Sequence, residues 1–447
     1  MFPKYLTNEK YMSTMRHFFP RGSRNFFETE NGRTKLRPEV RKYMPVWKRI
    51  LWTIAALQVG SGIAIIGVVS FIPLFLTSEL GVSDPGEAAF MSGIISGVTP
   101  FFVAFATPFW AVQANRRGHK TVLLILTAIL ALVVLWMYFV QNPTELLILR
   151  IIQGVSGGAG AVGMALVMNA TPKEKLPWAL GVFQASMVMG VMFGPLAGGV
   201  IADLFGYRMP FLIFGIVTIL CLIGAFVCLP NQKTEGGRTH DSAWSQMRYI
   251  LRNPVVCLMV MLQFLCNFGM TGIGPILPLY IKEMMGGDAM AVASIVGVVI
   301  FIAGGTSVCA SITVPRLTER FSMTNIIMWA TIVTGVNFIL QYLMPTVTLL
   351  GLMRGIVGCS LGLVMPIANT ILAAAVPADR RTVVLGFAQS FALMGNVAGP
   401  FASGALAMQC GYASVFWSTA ICFFLAASVI HMRRHLIERQ MRPARKG

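Results

Sequence analysis

Apolar runs separated by short polar breaks fill the chain from Ile50 to Met432. Each is about 20 residues or longer, enough to cross roughly 30 Å of hydrocarbon as a helix. The pattern predicts twelve spans, at 50–78, 88–114, 121–142, 145–171, 178–203, 209–229, 254–281, 289–315, 323–343, 346–375, 382–408 and 412–432, numbered here span 1 to span 12. The first is far too long for the apolar core of a cleavable leader, so it is expected to remain as an anchor. In the polar linker after span 6, Trp244, Met247, Ile250 and Leu251 share one helical face beside Arg248 and Arg252, as in a segment lying in the headgroup plane. The expected fold class is an all-α membrane protein: a basic arm at 1–49, a six-helix bundle at 50–229, a linker at 230–253, a second six-helix bundle at 254–432 and a basic tail at 433–447.

The two bundles carry related sequences. Span 5 reads GVFQASMVMGVMFGPLAGG, with Gly181, Gly190, Gly194, Pro195, Gly198 and Gly199; span 11 repeats it 205 positions later with Gly386, Gly395, Gly399, Pro400 and Gly404. At the same offset Gln58, Gly67 and Pro73 recur as Gln263, Gly272 and Pro278, and Gln184, Gly206 and Tyr207 as Gln389, Gly411 and Tyr412. Glycine lets a neighbouring helix approach closely, and proline bends a helix and leaves a carbonyl unpaired. Duplication predicts two pseudo-symmetric halves in parallel orientation with a substrate site between them near the bilayer midplane.

Composition agrees, with 56% hydrophobic residues, 12% charged and a mean hydropathy of +0.72. The formal charge of +18 does not mark a nucleic-acid partner, because its cations sit at the termini and in short loops. Arg116, Arg117, Lys120, Lys173, Lys175, Lys233, Arg238, Arg316, Arg320, Arg380 and Arg381 follow even-numbered spans; the opposite loops hold chiefly Arg208 and Lys282 with Glu79, Asp84, Glu87, Glu145 and Asp288. The positive-inside rule puts both termini in the cytosol of a multi-pass protein of the inner or plasma membrane. The arm, with twelve Lys or Arg against four Glu, is expected to meet anionic lipid headgroups at about 1 kcal/mol per cation. The eight cysteines lie in or beside apolar runs without paired spacing, so they read as small hydrophobes; no metal or cofactor site is expected.

With these residues in view, the chain resembles the major facilitator superfamily, and within it the twelve-span drug:proton antiporters, over about 50–432. The glycine and proline pattern of span 5 is similar to that group's antiporter motif. The loop AVQANRRGHK, with Asn115, Arg116, Gly118 and Lys120, is similar to the family's gating loop, whose acidic residue helps lock the outward-open form at a helix N-terminus; here Asn115 takes the acid's place. Glu319 and Arg320 keep an acid-arginine pair in the second half. LLILRIIQG, with Arg150, is similar to the family's span 4 arginine motif, and GLMRGIVG, with Arg354, is its span 10 counterpart. The resemblance implies a non-enzymatic, proton-coupled exporter of amphipathic small molecules, monomeric and working by alternating access. An organic-anion or siderophore-type transporter and a non-transporting receptor on the same scaffold are the alternatives.

Candidate chemistry is sparse. Arg150 and Arg354 are the only ionised residues well inside a span, which is costly unless they face water or a polar partner. Either they bond a kinked neighbour's carbonyl, or they adjust a carboxylate or attract an anion. Gln58, Gln184, Gln263, Asn267, Asn369 and Gln389 lie on spans that line the cavity in this family, either to bond substrate or to tie helices. No carboxylate or histidine sits mid-span, so Glu145 first and Asp203 second, with Arg150, are the expected proton-coupling groups. Phosphate-cradling and nucleophile-elbow motifs are absent; SGGAGAVG, at Ser156 to Gly163, is expected to lie within span 4 for close packing.

Overall fold

The computed structural model describes residues 27–30, 33–36, 45–230, 253–286, 291–376 and 381–441. The amphipathic face around Trp244, the cations Lys233, Arg238, Arg248, Arg252 and Arg380, Asp288 and most of the arm lie outside the described residues. Within the arm, β1 (Phe27–Glu30) and β2 (Arg33–Leu36) pair antiparallel, Phe27 opposite Leu36, a hairpin that the reading of a basic polar arm did not anticipate. The tail also gains structure, as the helix Arg434–Met441, whose Ile437 is buried.

Among the described residues, eleven helices are long and apolar enough to cross a membrane. The first ten fall on spans 1 to 10, and Met323–Leu343 coincides with span 9. The last, Ala388–Met432, is 45 residues long, about twice one crossing. Its backbone leaves the helical region at Gly411, φ 75° and ψ 174°, between the ranges predicted for spans 11 and 12.

Among the described residues, three spans are not continuous. Span 1 passes from Val46–Ile66 through a 3-10 turn, Gly67–Ser70, to Ile72–Ser78; span 7 stops at Pro254–Gly272 and restarts as Leu277–Met284. Pro73 and Pro278 open the restarted segments, where a missing N–H costs nothing. Span 4 is split into Pro143–Val155 and Ala159–Ala170 by Gly158, whose φ of 119° is open to glycine without strain. The glycine run therefore ends a helix where a continuous one was expected. One carbonyl orphaned by the break, Val155 O, accepts from the Trp110 indole at 2.7 Å.

Helix contacts follow a repeated scheme. Span 1 packs on span 5 as span 7 packs on span 11, span 2 on span 4 as span 8 on span 10, and span 3 on span 6 as span 9 on span 12. The two sets meet where span 2 crosses span 11 and span 5 crosses span 8. Gly93 lies against Pro400 and Gly404, Gly97 against Val397, Gly297 against Pro195 and Leu196, and Gly304 against Met192. Phe90 packs on Phe401 at 6.2 Å and Phe193 on Phe301 at 5.2 Å. These contacts gather at the end carrying the loops after odd-numbered spans. Toward the other end Phe101, Phe105, Phe109, Met187, Met189, Val191 and Ile312 are exposed on three of the same helices.

Candidate functional site

The glycines of span 5 set how close the walls of the site come. A Cβ on Gly190 would lie 2.9 Å from Gly62 Cα, one on Gly194 3.0 Å from Gly67 N, and one on Gly198 would enter the Gly67 carbonyl. Gly199 turns the other way, against the Ala293 carbonyl of span 8. In span 11, Gly395 and Gly399 meet the carbonyls of Phe264 and Phe268 on span 7, and Gly404 faces span 2. Gly181 has nothing within 4 Å of its Cβ position, and Gly386 lies in the helix Arg381–Met432.

The six predicted amides do not form one cluster. Gln263 donates to Asn369 at 3.0 Å, and Asn267 donates back to the Gln263 carbonyl at 2.9 Å, so three of them meet between spans 7 and 10. Gln58, the mate of Gln263, is buried against Gly160, near Met187. Gln184 and Gln389 are exposed, on spans 5 and 11.

Both arginines are buried, at 2% and 3% exposure, so neither guanidinium reaches the lipid face. Arg150 donates from Nη1 to Gln153 Oε1 at 2.9 Å and to the Ile65 carbonyl at 3.4 Å. Its backbone carbonyl accepts from Thr99, two residues past the Gly97–Val397 contact, which puts it where the seam between the halves ends. Span 10 is fastened likewise: Thr306 donates to the Gly355 carbonyl at 2.8 Å, next to Arg354. Among the described residues, Arg150 Nε and Nη2, Arg354 Nε and Nη1, and Gln153 Nε2 have no partner. Unpaired donors on buried cations can hold a carbonyl, a carboxylate or water. Gln153 and Thr99 were not anticipated; the i, i+3 spacing from Arg150 was the available signal for Gln153.

Among the described residues no Asp or Glu is buried. Glu145 is exposed and works as a helix cap, accepting from Gln141 N at 3.0 Å and Asn142 Nδ2 at 2.8 Å. Asp203 is half-buried and reaches across the seam, accepting from Ala293 N at 3.3 Å and Ser294 N at 2.6 Å. Beside it Arg208 ties Glu79 (3.1 Å) to the carbonyls of Tyr138 (2.9 Å) and Val140 (2.7 Å). Burial, with the Asp203 and Glu79 carboxylates nearby, pushes the Tyr207 hydroxyl above its ordinary pKa.

At the opposite end Asn115, Arg116, Glu319 and Arg320 are exposed and make no ion pair among the described residues. Gly118 turns the chain at φ 94°, and Lys120 Nζ donates to the Leu229 carbonyl, tying spans 3 and 6. An open groove of about 450 Å³ lies elsewhere, between spans 8, 9 and 10, lined by Phe321, Trp329, Ile356, Cys359 and their neighbours. No first-half residue lines it, so the amides and arginines, not this groove, mark the candidate site.

Comparison with known proteins adds the lineage. The sequence profile of the Major Facilitator Superfamily matches residues 54–340 and 305–445. The chain is 30% identical to Multidrug resistance protein MdtG of Escherichia fergusonii over 378 residues, 84% of this chain and 91% of that protein. It is 31% identical to MdtG of Escherichia coli, with the same coverage. Its fold is similar to a bacterial homologue of the human lysosomal transporter Spinster in an inward-facing, occupied conformation: TM-score 0.73 and 14% identity over 90% of this chain and 100% of that one. For a variant of the nucleoside transporter NupG the TM-score is 0.67, at 15% identity over 87% and 99% of the two chains.

Proposed function

Since the chain belongs to the Major Facilitator Superfamily and is a multi-pass membrane protein, we propose that it is a secondary active transporter exporting amphipathic small molecules in exchange for protons. We read Ala388–Met432 as two spans meeting at Gly411. Twelve spans then form two pseudo-symmetric six-helix bundles with both termini in the cytosol. The observation that carries alternating access is the one-sided seam: spans 2, 5, 8 and 11 hold the halves together at the outer end and expose apolar side chains toward the inner one. Rocking about that seam would turn a pocket bordered by the amides and the two arginines from one face of the bilayer to the other. Exposed methionine and phenylalanine suit varied amphipathic shapes.

Proton coupling belongs to the carboxylates at the outer helix ends. Of Glu145 and Asp203, only Asp203 has its partners in the opposite half, so only its surroundings change as the halves move. The unpaired guanidinium donors favour a second reading, transport of organic anions. Purified protein in vesicles, given cationic, neutral and anionic amphipaths with and without an imposed pH gradient, tests both. Gradient-driven accumulation of cations or neutral compounds is expected; anion flux alone supports the second reading, and binding without flux in any class refutes transport.

A further inference from the structure

We propose that Asp203 is the latch of the outer gate: from the end of span 5 it caps the first turn of span 8 across the boundary between the halves. Spans 2 and 8 are counterparts, yet their starts are finished differently. Span 2 begins after Asp84, whose carboxylate accepts from Glu87 N at 2.7 Å inside the same half. Span 8 begins after Ala291, which lies at φ 67° and offers no side-chain cap. The N–H groups of Ala293 and Ser294 instead point at the two Asp203 oxygens. Free N–H groups in a first turn carry the positive end of the helix, so a carboxylate placed there gains both hydrogen bonds and charge stabilisation.

The carboxylate stands on a stiff mount. Arg208 binds Glu79 and the carbonyls of Tyr138 and Val140, and Tyr207 stacks on Phe71 at 6.3 Å, so the end of span 5 is bound to spans 1 and 3. One turn earlier Gly199 brings the backbone of span 5 onto the Ala293 carbonyl. When the halves part at this end, Asp203 stays with the first half and span 8 loses its cap. At the inner end Asn115, Arg116, Glu319 and Arg320 are exposed and make no ion pair among the described residues, so no charged contact there opposes the latch. The chain is thereby biased toward a closed outer gate. This inference rests on the alternating-access reading and adds the group that sets its resting balance.

Hydrogen-exchange mass spectrometry on the purified full-length protein tests it with Asp203→Asn, Ser294→Pro and Thr346→Ala. In Asp203→Asn, amides of the seam (88–97 and 293–304) should exchange faster and those of the inner ends (181–191 and 306–317) slower, matching about a tenfold shift in the ratio of the two states. Ser294→Pro removes the donor of the 2.6 Å bond and keeps the carboxylate; proline is accommodated in a first helical turn, so the same shift is expected without changing Asp203. Thr346→Ala removes a cap contained within the second half and should loosen only the start of span 10. Faster exchange confined to the first turn of span 8, or an unchanged seam in both latch variants, overturns the proposal. If the wild-type seam and inner ends exchange protection when a transported amphipath is added, and the variants match the wild type, the latch alone fails. If they never do, alternating access fails with it.

Discussion

Adjacent glycines at the end of span 5 separate the stability of one half from the balance of the gate. A Cβ on Gly198 would enter the Gly67 carbonyl, with the Gly67 carbon at 2.9 Å; one on Gly199 would enter the Ala293 carbonyl, with Ser294 N at 2.9 Å. Gly67 belongs to span 1 of the same half, so rocking of the halves as rigid bodies would leave that contact in place, whereas Ala293 belongs to span 8 across the seam. Alanine gains about 1 kcal/mol over glycine in a helix interior. Forcing a methyl onto a backbone carbonyl, which cannot rotate aside as a side chain can, costs about 1–3 kcal/mol. With its methyl inside the Gly67 carbonyl, Gly198→Ala sits at the top of that range and should lose about 2 kcal/mol, lowering the apparent melting temperature of a cooperative unit the size of one half by about 4–8 °C. Gly199→Ala should escape most of that loss by opening the outer gate, lowering melting by less than about 2 °C and shifting the gate about tenfold. Tryptophan-fluorescence melting, paired with hydrogen exchange at the seam, reads both quantities. Equal melting losses from the two variants, or a Gly198→Ala protein as stable as wild type, would refute the assignment of these contacts to one half and to the seam.

Further substitutions test the site. Arg150→Met and Arg354→Met should each cut vesicle transport more than about tenfold while leaving melting unchanged or raised, because a buried cation contributes little net stability; undiminished flux would reduce both to structural residues. Arg150→Lys should not restore transport, since an ammonium does not present the Nε and Nη2 donors that Arg150 leaves unpaired among the described residues. Asn115→Asp should return charge to the inner lock and move exchange protection from the seam to the gating loop; an unchanged pattern dismisses that lock. Glu145→Gln combined with Asp203→Asn should abolish the response of transport to an imposed pH gradient, and a surviving response removes both residues from coupling.

Helix positions were legible because an apolar run of bilayer length has few other solutions, and span 9 is placed to the residue. Where helices break was not. Gly158 in span 4 and the glycines of span 5 look alike in sequence, but only neighbours decide whether such a residue is used for close approach or for a left-handed turn. The amides were found as types and not as partners: Gln263, Asn267 and Asn369 meet only once spans 7 and 10 are packed. Asp203 was singled out as a titratable end charge, yet its hydrogen bonds come from a helix about 90 residues further on, beyond what periodicity reveals.

Span 10 runs unbroken from Val347 to Ala374, whereas span 4 changes direction at Gly158. The duplicated halves are therefore mechanically unequal. Arg150 lies on the segment Pro143–Val155, which Gly158 separates from the inner part of its span and which Thr99 and Ile65 hold at Arg150 itself. Arg354 shares one helix with everything down to Ala374, Pro366 included. In the proposed rocking, a tilt of the inner end would reach Arg354 along backbone that no glycine turn interrupts, and would reach Arg150 only across a break.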